Sequence, residues 1–310
     1  MPYRNAKIYY DGSHYIAIPQ SGKIKRRRPK STDNEFIVVE KEETSEKGKI
    51  KSKRLTTKKD MFEEAYKRTP ELKPSEKKES IMREMQEYFD TPEQTEEYVR
   101  AGMERKRRNL ICRRIRIIRK ASLAGFNYFC TFTYDGEKHT EESFRRGLNN
   151  CLRSLSSRKE WRYAGVWERS PEKQRLHFHG LFRIPANTLK GGMIEVTDYS
   201  TTDRRKQTSV QSVYFNERFG RSDFKALEPR LLTESIDYLV KYIEKTGEKI
   251  VYSKGLYQYF VSDVTDDDVI CRTGREEKKL LLADNFRCWS DGEYVGIVSA
   301  EVIAKLKKSN

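Results

Sequence analysis

The chain has 310 residues, with 63 Lys and Arg against 47 Asp and Glu, a formal net charge of +16, and nearly equal shares of hydrophobic (36%) and charged (35%) residues. That balance implies a modest core and a polyanionic partner, nucleic acid first, and it disfavours a membrane partner because no apolar anchor accompanies the charge. No apolar stretch reaches the roughly 18 residues of a membrane helix, Met1-Pro2-Tyr3-Arg4-Asn5-Ala6 holds no signal-peptide core, and the five cysteines show neither CxxC pairing nor zinc-site spacing, so a cytoplasmic protein is expected.

In residues 1–60, Ile8-Tyr9-Tyr10 and His14-Tyr15-Ile16-Ala17-Ile18 flank Asp11-Gly12, a hairpin signal. A basic run follows, in which Arg26, Arg27 and Arg28 are candidate DNA contacts. Residues 61–124 read as a charged helical region broken at Pro70 and Pro74, with Thr91-Pro92-Glu93 as a helix start. Nine Lys or Arg lie between Arg105 and Lys120, interleaved with Leu110, Ile111, Ile115, Ile117 and Ile118. That pattern predicts a helix with a buried side and a phosphate-facing side carrying Arg113 and Arg114.

A core module is expected over 125–260. Strand 128–134 leads to a helix at about 141–157, whose Phe144, Leu148, Cys151, Leu152 and Leu155 form one apolar stripe. Next comes Leu176-His177-Phe178-His179-Gly180-Leu181-Phe182, which holds two of the four histidines. Strand alternation aims His177, His179 and Leu181 one way and Leu176, Phe178 and Phe182 the other. If residues 163–168 form the preceding hairpin arm around a loop at 171–174, Glu168 lies directly opposite His177. Glu168, His177 and His179 then converge, and two imidazoles and a carboxylate on one side of a divalent ion leave positions open for substrate oxygens.

Residues 191–223 are expected as a hairpin or ordered loop beside DNA, with Arg204 and Arg205 as phosphate contacts and Tyr199, Tyr214 and Phe215 either stacking on bases or packing on the domain edge. Residues 234–245 predict a helix ending at Gly247. Tyr238, Lys241, Tyr242 and Lys245 share an arc of roughly 100°, while Ile236, Leu239, Val240 and Ile243 face the core. Phenols are weak nucleophiles at neutral pH until adjacent cations favour the phenolate. Residues 261–310 read as a mixed tail without assigned chemistry.

The strand Phe129-Cys130-Thr131-Phe132-Thr133-Tyr134, the His177-Phe178-His179 strand and the Tyr238-Leu239-Val240-Lys241-Tyr242 helix occur in the order of the three motifs of HUH rolling-circle replication initiators. The chain resembles that family over residues 125–260, most of all the two-tyrosine initiators of small single-stranded DNA phages and related plasmids. The resemblance implies an α+β HUH endonuclease domain, a central antiparallel sheet flanked by helices, here with a charged, largely helical N-terminal extension. It implies Mg²⁺ or Mn²⁺ at His177, His179 and Glu168, Tyr238 as nucleophile and Tyr242 as the second tyrosine, with Lys241 orienting the phosphate.

The activity so implied is nicking and rejoining of single-stranded or hairpin origin DNA through a 5′-phosphotyrosine, leaving a 3′-OH for a host polymerase in the bacterial cytoplasm. No P-loop sequence is present, so a host helicase is expected as partner. The competing readings are an HUH transposase or mobilisation relaxase, a non-catalytic single-strand DNA-binding protein, and a metal-dependent oxygenase.

Overall fold

Alternation of apolar and polar side chains along residues 130–133 and 176–179 gives the strands that carry them two unlike faces, and the fold is organised around them. The computed structural model describes residues 2–20, 36–37, 56–69, 72–170, 174–200, 205–228, 232–246, 249–273 and 278–310. The chain divides into two compact units, residues 23–112 and a larger one made of 1–22 with 113–310.

From the N-terminus, β1 (Tyr3–Tyr10) turns into β2 (Tyr15–Ile18) where the Asp11 carboxylate accepts from the backbone N–H groups of Ser13 and His14. In the smaller unit, β3 (Phe36–Ile37) pairs with β4 (Thr56–Thr57), and Thr57 caps α1 (Lys58–Arg68). Next comes α2 (Pro74–Met85), which opens on proline, a residue whose fixed φ suits the first helical turn. α3 (Pro92–Ala124) follows, and Phe62, Ala65, Ile81, Met85 and Val99 form the core of this unit.

In the larger unit come β5 (Tyr128–Thr133), α4 (Glu141–Arg158), β6 (Arg162–Arg169), β7 (Leu176–Arg183), β8 (Met193–Ser200), β9 (Arg205–Ser212), α5 (Val213–Arg218), β10 (Ser222–Ala226), α6 (Leu232–Thr246) and β11 (Val251–Tyr252). The five-stranded antiparallel sheet has the order β10-β5-β7-β6-β11, with β7 at its centre. One face packs Phe132, Phe178, Phe182 and Trp167 against Phe144, Leu148 and Leu152 of α4 and Phe215 of α5. The other packs Ala164, Val166 and Leu181 against Ile236, Leu239 and Val240 of α6 and Ile117 and Ala121 of α3. Burying each large aliphatic residue contributes about 1.5–3 kcal/mol, so the apolar stripe of α6 is what seats it on the sheet. The fold is α+β, as expected from the sequence.

Gly165 and Gly180 face each other across β6 and β7. A Cβ on Gly165 would stand 2.4 Å from the Phe178 ring and 2.7 Å from the His179 carbonyl oxygen. The glycine makes room for the aromatic packing beneath the histidines.

Of the stretch 191–223, expected as a hairpin or an ordered loop, β8 and β9 form a hairpin that pairs from Met193↔Ser212 to Ser200↔Arg205, followed by α5 and the start of β10. Tyr214 and Phe215 pack on the aromatic core rather than facing outward for bases, whereas Tyr199 is exposed. Beyond it, β12 (Tyr259–Val264), β13 (Val269–Thr273), β14 (Lys279–Leu282), β15 (Arg287–Ser290), β16 (Glu293–Ile297), α7 (Ala300–Lys305) and β17 (Lys308–Ser309) complete the chain. β1 pairs with β12 and β2 with β14, so the expected N-terminal hairpin and the C-terminal tail share one eight-stranded sheet with its own core around Ile8, Phe260 and Phe286. Among the described residues no helix is long and apolar enough to cross a membrane.

Candidate active site

Three neighbouring strands put two polar rows on the α6 side of the sheet. In one, Thr133, His177 and Glu168 stand side by side across β5, β7 and β6; in the other, Thr131 and His179 are followed by Val166. Glu168 is thus paired with His177 as the hairpin register requires. His177 Nδ1 lies 2.8 Å from Thr133 Oγ1 and His179 Nδ1 lies 3.0 Å from Thr131 Oγ1. Each ring is therefore anchored at one nitrogen, and the rings stack at 23° with centroids 5.9 Å apart. A hydroxyl both donates and accepts, so the threonines suit either imidazole tautomer.

Glu168 is only 7% exposed, and a carboxylate so buried requires a partner. Its Oε2 lies 3.0 Å from His179 Nε2. Burial depresses the His177 imidazole below its ordinary value, helped by His179 and Arg175, while Glu168 opposes the shift. His177 is consequently held towards its neutral form.

α6 brings the tyrosine. The Tyr238 ring meets His179 edge-on with centroids 6.1 Å apart and meets Phe129 of β5 at 5.5 Å, yet it remains 41% exposed. Lys241, one turn later, is exposed. Tyr242 and Lys245 fall in the same helix, with their side chains outside the described residues, as are Arg26, Arg27, Arg28 and Arg204 altogether. Arg114 donates to Asp237 at 2.7 Å, next to Tyr238, and Arg113 is half-buried on the same helix. Arg205 lies exposed on the separate β8–β9 hairpin.

The donor chemistry fits a divalent cation in part. A separation of 3.0 Å between Glu168 Oε2 and His179 Nε2 is that of neighbouring ligands on an ion with bonds of about 2.1 Å. As the side chains stand, however, no group of three His, Cys, Asp or Glu among the described residues is gathered closely enough to hold a metal ion. Glu168 and His179 are the two donors that fit directly, and His177 is the further imidazole on the same face.

Three contributors were not singled out from the sequence. Thr131 and Thr133 looked like ordinary strand residues, although their spacing matches that of His177 and His179. Arg175 donates to the Tyr134 carbonyl and lies over the Tyr134 ring, and its charge reaches His177. The signal there was a lone arginine two residues before the first histidine.

A histidine pair backed by threonines, a buried carboxylate and a tyrosine helix thus lie together on one face of an antiparallel sheet. Residues 127–247, the stretch carrying this site, match the model of a family described as Replication-associated protein ORF2/G2P. That similarity supports a phage- or plasmid-type Rep initiator and a role in replication. No curated protein and no solved structure matches the chain.

Proposed function

We propose that this site cuts and rejoins single-stranded DNA, at an origin strand or hairpin, by tyrosine transesterification. The observation that carries the proposal is the placement of the Tyr238 ring against His179, within the cluster that also holds Glu168 and His177. The Tyr238 hydroxyl gives up its proton and its oxygen attacks the scissile phosphorus. The P–O3′ bond breaks, the leaving oxygen takes up a proton, and a 5′-phosphotyrosine and a free 3′-OH result. The ester conserves the phosphodiester, so attack by a 3′-OH regenerates the tyrosine and rejoins a strand without ATP.

His179, Glu168 and His177 are the residues that would hold Mg²⁺ or Mn²⁺, which when bound supplies charge neutralisation at the phosphate oxygens. Thr131 and Thr133 fix the imidazole planes, and their hydroxyls serve as donor or acceptor to whichever tautomer each ring adopts. Lys241 orients the phosphate from the exposed face of α6, and Tyr242 takes the second cleavage. The match to a replication-associated family supports DNA as substrate, and the reaction as written calls for a host helicase and polymerase in the bacterial cytoplasm.

The test is incubation with a labelled hairpin oligonucleotide and Mn²⁺, followed by mass spectrometry of the DNA-linked peptide. An adduct on Tyr238 is expected. An adduct on Tyr242 alone would reverse the order of the two tyrosines, and cleavage with no adduct on α6 would overturn the mechanism.

A further inference from the structure

The β6–β7 pair ends, away from Glu168 and His177, in a second charged row. Arg162 and Arg183 stand directly opposite each other there, roughly 13 Å from His179 and roughly 20 Å from His177 at the rise of a strand. Like charges facing across paired strands are unfavourable, and among the described residues neither arginine is in an ion pair. Both line a cavity of about 580 Å³, together with Lys308, Tyr10, Tyr15 and Tyr257; Glu160 is the one acid in the lining.

Two of the three cations, Arg162 and Lys308, are held rather than trailing in solvent, and Arg183 is exposed. Arg162 Nη1 donates to the carbonyls of Ser156 and Trp161 at 3.1 and 3.0 Å, which fixes its guanidinium plane. Gly255, at φ +77°, passes so close that a Cβ there would lie 2.6 Å from Arg162 Nε. Lys308 Nζ donates to the Ile303 and Ala304 carbonyls at 3.1 and 2.8 Å, at the end of α7. Burial, and then the Arg183 charge, lower the Lys308 ammonium from its ordinary value, which places the two cations in one field. Tyr10 and Tyr15 stack at 4.4 Å between centroids and offer an aromatic wall.

We propose that this cavity is a second binding site, for a phosphate-bearing nucleotide unit. The phosphate lies against Arg162, Arg183 and Lys308, and the base and sugar lie against the tyrosines. Forked guanidinium donors match phosphate oxygens, aromatic faces match bases, and the volume lies within the range of small-ligand pockets. The unit is either a free nucleotide or one nucleotide of a DNA strand. The proposal stands on residues apart from the strand-cleavage site and does not depend on that reading.

The experiment uses the full chain and two probes. One is dTMP, followed by the rise in melting temperature with concentration; the other is an oligothymidylate carrying 5-iododeoxyuridine, photo-crosslinked and mapped by mass spectrometry. A dTMP-dependent rise identifies a free nucleotide. Crosslinks on the Tyr10 or Tyr257 peptides without that rise identify a DNA strand. In either case Arg183→Gln, at an exposed position, is expected to weaken the interaction about 10- to 100-fold, the usual scale for losing a charged hydrogen bond, with the melting temperature of the free protein unchanged. Lys308→Gln is expected to do the same. Absence of both signals, or equal affinity in Arg183→Gln and the native protein, overturns the proposal.

Discussion

Glu168 reaches His179 diagonally: its backbone partner is His177, but its Oε2 lies 3.0 Å from His179 Nε2 on the neighbouring row. The carboxylate thereby contacts one imidazole, and its charge also acts on the other. Glu168→Gln keeps the shape and a hydrogen-bonding group but removes the charge. Binding of Mn²⁺, followed by electron paramagnetic resonance, is expected to weaken at least about tenfold, the lower range for perturbing a metal site, with the fold intact by circular dichroism. Unchanged Mn²⁺ affinity would separate Glu168 from any cation.

Thr131→Val and Thr133→Val preserve the branched strand-forming shape while deleting the partners of the two Nδ1 atoms. Each is expected to lower DNA cleavage about 10- to 100-fold, as outer-sphere partners of metal-bound histidines usually do. Thermal stability should hardly move. If cleavage stays at the native rate in both variants, the threonines serve packing alone.

Tyr238→Phe retains the ring that packs edge-on to Phe129 and His179. It should therefore leave folding and single-strand affinity in place while abolishing the covalent adduct at this position, a loss of about a thousandfold or more in cleavage by this residue. Retained adduct formation at the native rate would assign the nucleophile elsewhere.

Gly165→Ala tests the packing under the histidines. The added methyl meets both a ring and a backbone oxygen, and only the ring can move. A destabilisation of about 1–3 kcal/mol, read by denaturant unfolding, is expected. Adding Phe178→Leu should recover part of it; no recovery would place the strain in the backbone contact.

Lys120 is a buried ammonium, 7% exposed, that donates to the Leu256 carbonyl at 2.6 Å and to the Asn310 side chain. Lys120→Met leaves that carbonyl without this donor and is expected to cost about 1–3 kcal/mol. Burial, and then Arg116, lower the Lys120 ammonium below the ordinary 10.5. The unfolded chain then holds this proton longer than the folded one as pH rises, so native stability relative to Lys120→Met should increase between the lowered value and 10.5. A difference that stays flat across that window would contradict the assigned shift.

The local periods of the sequence carried much of the fold. The two-residue alternation around His177 and His179 and the pairing of Glu168 with His177 follow from strand geometry and turn position, and the 3.6-residue period of 234–245 named the buried stripe of α6. Residues 105–120 are helical as expected, within α3, and bury Ile117. The buried side is narrower than the aliphatic residues interleaved there suggest: Ile118 is partly buried, while Ile111 and Ile115 are 48% and 41% exposed. Arg114, assigned to phosphate, also sits in an ion pair with Asp237, a partner over a hundred residues away. The pairing of β1 with β12 and the threonine support of the histidines share that cause: each depends on which strand becomes a neighbour, and no local pattern encodes it.

The pairing of β1 with β12, and of β12 with β17, carries a consequence for biosynthesis. The five strands around the histidines all lie between Tyr128 and Tyr252, so a ribosome that has released that stretch has released everything this sheet needs. In the eight-stranded sheet β1 has β2 beside it at once, but its other neighbour is missing until Tyr259–Val264 emerges. Closure over so long a separation is slow, and during translation the second edge of Tyr3–Tyr10 stays unpaired, in want of a chaperone's cover.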